Sequence, residues 1–204
     1  MLPLLEMRSI RKEYPGVLAL DGVDFEVFPG EVHCLLGENG AGKSTLMKIL
    51  AGSLAADAGS ILLEGSEVTI DSPTAAQALG IGMIYQDFKL VPELSAAENI
   101  MLGHEPRSGG GYFLDRTATR EKAASVLKDL GEEIPMNVPV RSLSLAHRQF
   151  VEIAKALSRE VKILILDEPS VSLTSHELAN LFESVRKLKT FGVGVIYISH
   201  RLGE

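Results

Sequence analysis

The sequence predicts an α/β fold: a mainly parallel sheet, an N-terminal antiparallel β subdomain and a helical insert. Three observations predict it. Strand-length apolar runs alternate with segments of helical periodicity. The run Val161-Lys162-Ile163-Leu164-Ile165-Leu166 is nearly all apolar, as a parallel strand covered on both faces must be. A glycine-rich segment, Gly37 to Thr45, joins a strand-like run to a helix-like one.

Taken in order, Leu4 to Tyr14 alternates and reads as an edge strand, turned by Pro15-Gly16. Val23 to Phe28 alternates cleanly, so it is a strand with one wet face, and Pro29-Gly30 turns it. Val32 to Leu36 reads as a buried strand and Leu46 to Ala51 as the first turns of a helix. Ser60 to Glu64 and Glu67 to Ile70 form a hairpin around Gly65-Ser66. Ser72 caps a helix with Pro73 at its first position, running to about Leu79 and stopping at Gly80. Ile81 to Tyr85 is a strand that ends at Gln86.

From about Ser95 to about Leu157 the chain is more helical, broken twice. Ser95-Ala96-Ala97-Glu98 is a capping box. Gly103 to Gly111 reads as an exposed loop, Asp115 to Leu130 as a helix stopped by Gly131, and Ser144 opens a helix through Leu157. Ser175 to Lys189 is an amphipathic helix, and Val193 to Ser199 is a last buried strand. The expected organisation is one domain over residues 1–204. Its β subdomain and core cover about 1–86 and 160–204, and the helical insert about 87–159.

The chain has 204 residues, 46% hydrophobic and 23% charged, enough for one domain with a proper core. No apolar run is long enough to span a bilayer, and no signal peptide is evident at the start. The net charge of -7 argues against a nucleic-acid groove. The single cysteine, Cys34, has no partner in the chain for a disulfide and is expected to be a small buried hydrophobe.

Gly37-Glu38-Asn39-Gly40-Ala41-Gly42-Lys43-Ser44-Thr45 fits G-x-x-x-x-G-K-[ST] between a strand and a helix, which makes the fold a P-loop NTPase core. Glycines let the backbone turn several N–H groups onto one anion, and the helix N-terminus adds its partial positive charge. Lys43 would reach the β and γ phosphates and the Ser44 hydroxyl would ligate Mg²⁺. Asp167-Glu168 ends the apolar strand. If that strand neighbours the loop, Asp167 would bind Mg²⁺ through water and Glu168 would act as general base toward the attacking water. Alone, such a pair also fits a helix cap or a solvated turn.

With these residues the chain resembles the nucleotide-binding domain of ATP-binding cassette (ABC) transporters over nearly its whole length. The motifs stand in the family's order: Gly37 to Thr45, Gln86 after a strand, Leu143-Ser144-Leu145-Ala146-His147 opening a helix, Ile163 to Pro169, and His200 at a strand end. The resemblance implies ATP with Mg²⁺. Tyr14 would stack on adenine, the alternative being an ordinary strand tyrosine. Gln86 would sense Mg²⁺ and the γ-phosphate, in a loop that touches the membrane subunit. His200 would contact the γ-phosphate and help position water. Ser144 would close in trans on the nucleotide of a second domain. Two departures stand out. Leu145, Ala146 and His147 replace Gly, Gly and Gln of the usual L-S-G-G-Q, and Thr174 stands where many members carry an aspartate.

Pro92 to Gly103, Val151 to Leu157 and Tyr197 to Arg201 resemble the ATPases of bacterial monosaccharide importers of the ribose, galactose and xylose type. Nucleoside-importer ATPases are close relatives. The resemblance implies a second nucleotide-binding domain, membrane permease subunits, an indirect link to a periplasmic solute-binding protein, and a place on the cytoplasmic face of the cell membrane. The chain stops where the family continues with more strands, so the expectation is the N-terminal part of a longer two-domain polypeptide. Two other readings are a weakly hydrolysing regulatory half and a soluble ABC protein acting on ribosomes or DNA. The acidic balance counts against the latter.

Overall fold

The computed structural model describes residues 2–38, 40–85, 87–169 and 173–200. In chain order the elements are β1 (Leu5–Tyr14), β2 (Val17–Val27), β3 (Val32–Leu36), α1 (Lys43–Leu50), β4 (Ala58–Leu63), β5 (Ser66–Val68), α2 (Pro73–Ala78) and β6 (Ile81–Ile84). There follow α3 (Ala96–Ile100), β7 (Arg107–Ser108), β8 (Phe113–Leu114), α4 (Arg116–Leu130), α5 (Leu145–Leu157), β9 (Ile163–Asp167), α6 (Ser175–Thr190) and β10 (Gly194–Ser199). The chain divides into two compact units. The first comprises residues 1–83, 161–168 and 188–204, and the second 84–160 and 169–187.

The first unit carries two four-stranded sheets. One is antiparallel in the order β2-β1-β4-β5. The other runs β3-β10-β9-β6, with β10 parallel to both β3 and β9. This is the P-loop α/β architecture read from the sequence. Ile163 to Leu166 are all buried, as an interior parallel strand requires. One apolar cluster joins Leu5, Met7, Ile10 and Ile61 of the antiparallel sheet to Ile163, Ile165, Ile196 and Ile198 of the parallel one. Leu46, Met47, Ile49 and Leu50 of α1 belong to the same cluster, so the helix that follows the glycine-rich loop is anchored in the core.

Four expectations are corrected here. β1 is not an edge strand: it bonds β2 on one side and β4 on the other. Alternation reports a half-wet face, and a central strand of a sheet packed on one side shows the same pattern. β3 is not buried. Among the described residues it is an edge of the parallel sheet, with Leu36 48% exposed. Cys34 on β3 is accordingly exposed, not a buried hydrophobe. Gly103 to Gly111 is not wholly loop, because Arg107–Ser108 pairs antiparallel with Phe113–Leu114.

In the second unit α3, α4 and α5 pack on one another around Ile100, Leu127, Leu130, Phe150 and Ile153. Asp115 caps α4 through the Ala118 N–H at 2.9 Å, and Gly131 ends it at φ 81°. At α3 the capping box is complete. Ser95 Oγ accepts the Glu98 N–H at 3.3 Å, and Glu98 Oε2 accepts the Ser95 N–H at 2.9 Å. The hydroxyl and N–H bonds from Ser95 hold the Glu98 pKa below the usual glutamate value. A depressed carboxylate stabilises the fold above its unfolded pKa, and that stabilisation is lost as pH falls through the folded one. Ser95→Ala is therefore expected to cost about 1 kcal/mol near neutral pH, and less in acid. Urea unfolding at the two pH values checks it.

Candidate functional site

The strand β3 delivers the chain to the glycine-rich loop, and α1 takes it away from Lys43. Gly42 stands at the helix start with φ 86° and ψ -7°, a left-handed conformation that a side chain disfavours. A Cβ there would also lie 2.7 Å from the Ala19 carbonyl oxygen. Glycine is thus required twice over at this position. The first N–H groups of α1 have no carbonyl a turn earlier to bond, so they face outward as anion donors.

Lys43 Nζ donates to the carbonyls of Gly37 at 2.5 Å and Glu38 at 2.9 Å. The lysine thereby lies across the loop that precedes it. A cavity of about 170 Å³ opens here, lined by Gly40 to Thr45, by Val17, Leu18 and Ala19 of β2, and by Glu168 and Ile198. The loop and the glutamate after β9 therefore share one space. The register explains why: β9 and β3 both pair with β10, and all three end on the same side.

Asp167 ends β9 and is half-buried. Burial raises its pKa, the charge of Glu168 raises it further, and Lys48 and Lys43 oppose both. Asp167 thus lies within electrostatic reach of the loop lysine, and Glu168 lines the same cavity as that lysine. Glu168 has φ 48°, a left-handed backbone rare for a non-glycine residue. Such a conformation costs on the order of 1–3 kcal/mol and persists only where the surroundings hold it. Here the Glu168 N–H donates to the Ile198 carbonyl at 3.1 Å. Its Oε1 lies 3.0 Å from His200 Nδ1. With the carboxylate ionised, which leaves it an acceptor only, Nδ1 is the donor of this bond.

Ser44, exposed in the cavity, offers a hydroxyl there, and Asp167 offers a carboxylate at the end of β9, outside the cavity lining. Oxygen donors of this kind beside an acidic pair suit a hard cation such as Mg²⁺. Tyr14 ends β1, is 39% exposed, and pairs in register with Val17 across the turn. Lys12 Nζ lies 6.0 Å from the Tyr14 ring centre. Sequence reasoning missed Val17, Leu18 and Ala19. Their available signal was an apolar run directly after Pro15-Gly16, where Val17 remains 60% exposed.

Asn39 and Gln86 lie outside the described residues, so nothing is placed for them. Ser144 belongs to the second unit, where it caps α5: its Oγ accepts the His147 N–H at 3.2 Å. Leu145 is 46% exposed and Ala146 is buried. Thr174 forms a cap with Glu177, whose Oε2 accepts the Thr174 N–H and hydroxyl, each at 2.8 Å.

Residues 20–171 match the profile of the family described as ABC transporter. The ribose import ATP-binding protein RbsA 1 of Rubrobacter xylanophilus is 54% identical over 204 residues, covering 100% of this chain and 40% of that protein. The chain thus spans about 40% of the length of the curated relatives it matches. Among solved structures, the ADP conformation of MJ1267, an ATP-binding cassette of an ABC transporter, superposes with TM-score 0.86 at 28% identity, over 99% of this chain and 83% of that one. A dimeric post-hydrolysis state of the ATP-binding cassette MJ0796, bound to ADP and Pi, gives TM-score 0.81 at 25% identity, over 98% and 89%.

Proposed function

The chain belongs to the ABC transporter family, and from that premise we propose that it binds and hydrolyses ATP to energise import of a simple sugar. The observation that carries this reading is the cavity shared by the phosphate loop and Glu168, with Asp167 within reach of the Lys43 charge.

The loop from Gly37 to Thr45 (Glu38, Asn39, Gly40, Ala41 and Gly42 between them) would hold the phosphates on its N–H groups. Lys43 would exchange the carbonyls of Gly37 and Glu38 for β- and γ-phosphate oxygens, replacing neutral acceptors with anionic ones. Glu168 would take a proton from the water that attacks the γ-phosphorus, as the bond to the ADP oxygen breaks and its electron pair leaves with ADP. His200, bonded to Glu168, would fix the direction of that carboxylate and reach the γ-phosphate. Ser44 and Asp167, with Gln86, would hold Mg²⁺. When bound, the ion neutralises charge on the β and γ phosphates. Tyr14 would stack on adenine beside Val17 and Leu18.

Ser144 would serve the nucleotide of a second such domain, and the dimeric state of MJ0796 supports an arrangement in pairs. The names of the ribose-import relatives support permease subunits as partners and a peripheral place on the cytoplasmic face of the membrane. Among the described residues no helix is long and apolar enough to cross a membrane itself. The share of its relatives that the chain spans supports reading it as one ATPase domain of a longer protein.

The test is transport. The protein with its permease subunits in sealed vesicles is expected to drive ATP-dependent uptake of labelled ribose, galactose or xylose. Uptake of a nucleoside alone would move the assignment to a nucleoside importer. ATP hydrolysis without uptake of either solute would sink the import reading.

A further inference from the structure

Both backbone polar groups of Lys89 are held by side chains of α5. Glu152 Oε1 accepts the Lys89 N–H at 2.5 Å, and Lys155 Nζ donates to the Lys89 carbonyl at 3.0 Å. Asn99 of α3 treats Val91 in the same way. Its Oδ1 accepts the Val91 N–H at 2.7 Å, and its Nδ2 donates to the Val91 carbonyl at 3.0 Å. Residues 87–94 form no regular element, so these side chains supply bonds that a helix or sheet would otherwise provide.

Glu152 is 7% exposed, an unusual place for a carboxylate. Burial raises its pKa, against the charge of Lys155, the bond from the Lys89 N–H and the charge of Lys89. A glutamine could accept the same N–H at a lower cost of desolvation. What the carboxylate adds is a charge-assisted bond, about twice as strong as a neutral one. The helix that makes this grip is the one capped by Ser144, and the gripped segment is the one that follows Gln86.

We propose that Glu152, together with Lys155, is a positioning residue for ATP hydrolysis, locking the segment after Gln86 to the helix headed by Ser144 so that the two move as one body. The inference rests on the ATPase reading above. Neither residue needs to touch nucleotide. Each acts by keeping two separated stretches in fixed relation, and a misplacement of about 1 Å at such a site can cost on the order of a hundredfold in rate.

The experiment uses the intact protein with its membrane subunits. Glu152→Ala is expected to lower kcat for ATP about tenfold while KM for ATP stays within about twofold. Glu152→Gln, which still accepts the Lys89 N–H, is expected to restore about half of the lost rate or more. Lys155→Met, which keeps the aliphatic stem, is expected to lower kcat severalfold and decides the matter if Glu152→Ala does not fold. A kcat for Lys155→Met and for any folded Glu152→Ala within about twofold of the unmodified protein overturns the inference. So does a loss confined to melting temperature. Glu168→Gln is run alongside. If the unmodified protein turns over and Glu168→Gln does not, the ATPase reading stands whatever the other variants do. An unmodified protein without turnover removes that reading and this inference with it.

Discussion

Glu168→Gln is expected to lower ATP turnover by about 10³-fold while leaving ATP bound. The amide keeps the shape of the side chain and can still meet His200 Nδ1–H through its oxygen, so the cavity is preserved. What it loses is the ability to take a proton from water, and general bases contribute about 10²–10⁴ in rate. Affinity has no reason to fall, because in the proposed arrangement the phosphates would be held by the loop and by Lys43. One negative charge near them is also removed. Filter retention of labelled ATP with single-turnover quenching checks both halves. Turnover within about tenfold of the unmodified protein would take Glu168 out of the chemistry.

Lys43→Ala is expected to reduce kcat/KM for ATP by about 10³-fold or more, with most of the loss already visible in binding. The ammonium is the one cation that the loop itself carries into the cavity, and a donor aimed at developing phosphate charge is worth about 10²–10³ alone. The fold should be spared. Gly37 and Glu38 are exposed, so water replaces the lysine on their carbonyls. An unchanged melting temperature with lost binding of an ATP analogue is the expected pair of results. Lys43→Arg is a useful companion, because a planar fork does not reproduce a compact ammonium. A Lys43→Ala protein that binds ATP normally would overturn the proposed role of the loop.

Local features were the most legible in the sequence. The caps at Ser72 and Ser95 and the stop at Gly131 depend on neighbours within a few positions, and the structure has them all. The apolar strand at Ile163 and the phosphate loop were equally plain. Strand neighbours were not. The place of β1 between β2 and β4, and of β3 at an edge among the described residues, are set by pairings far apart in sequence that periodicity does not encode. That is why the exposure of Cys34 was misjudged. The ladder of β7 and β8 is two residues long, too short for any alternation to show. Val17 and Leu18 were missed because the strand reads as starting only at Val23, and it is the pairing of β2 with β1 that brings them to the loop.

The acid after β9 is tied to β10 by two separate threads, its N–H on the Ile198 carbonyl and its carboxylate on His200. The acid that follows β9 and the imidazole that follows β10 are therefore joined as a single cassette across two neighbouring strand ends. A small tilt of the end of β10 would swing both groups in step, with neither contact broken. If Glu168 acts as proposed, timing of the chemical event would become a property of strand orientation, and a substitution far down β10 is expected to slow the reaction without altering any group that would meet nucleotide.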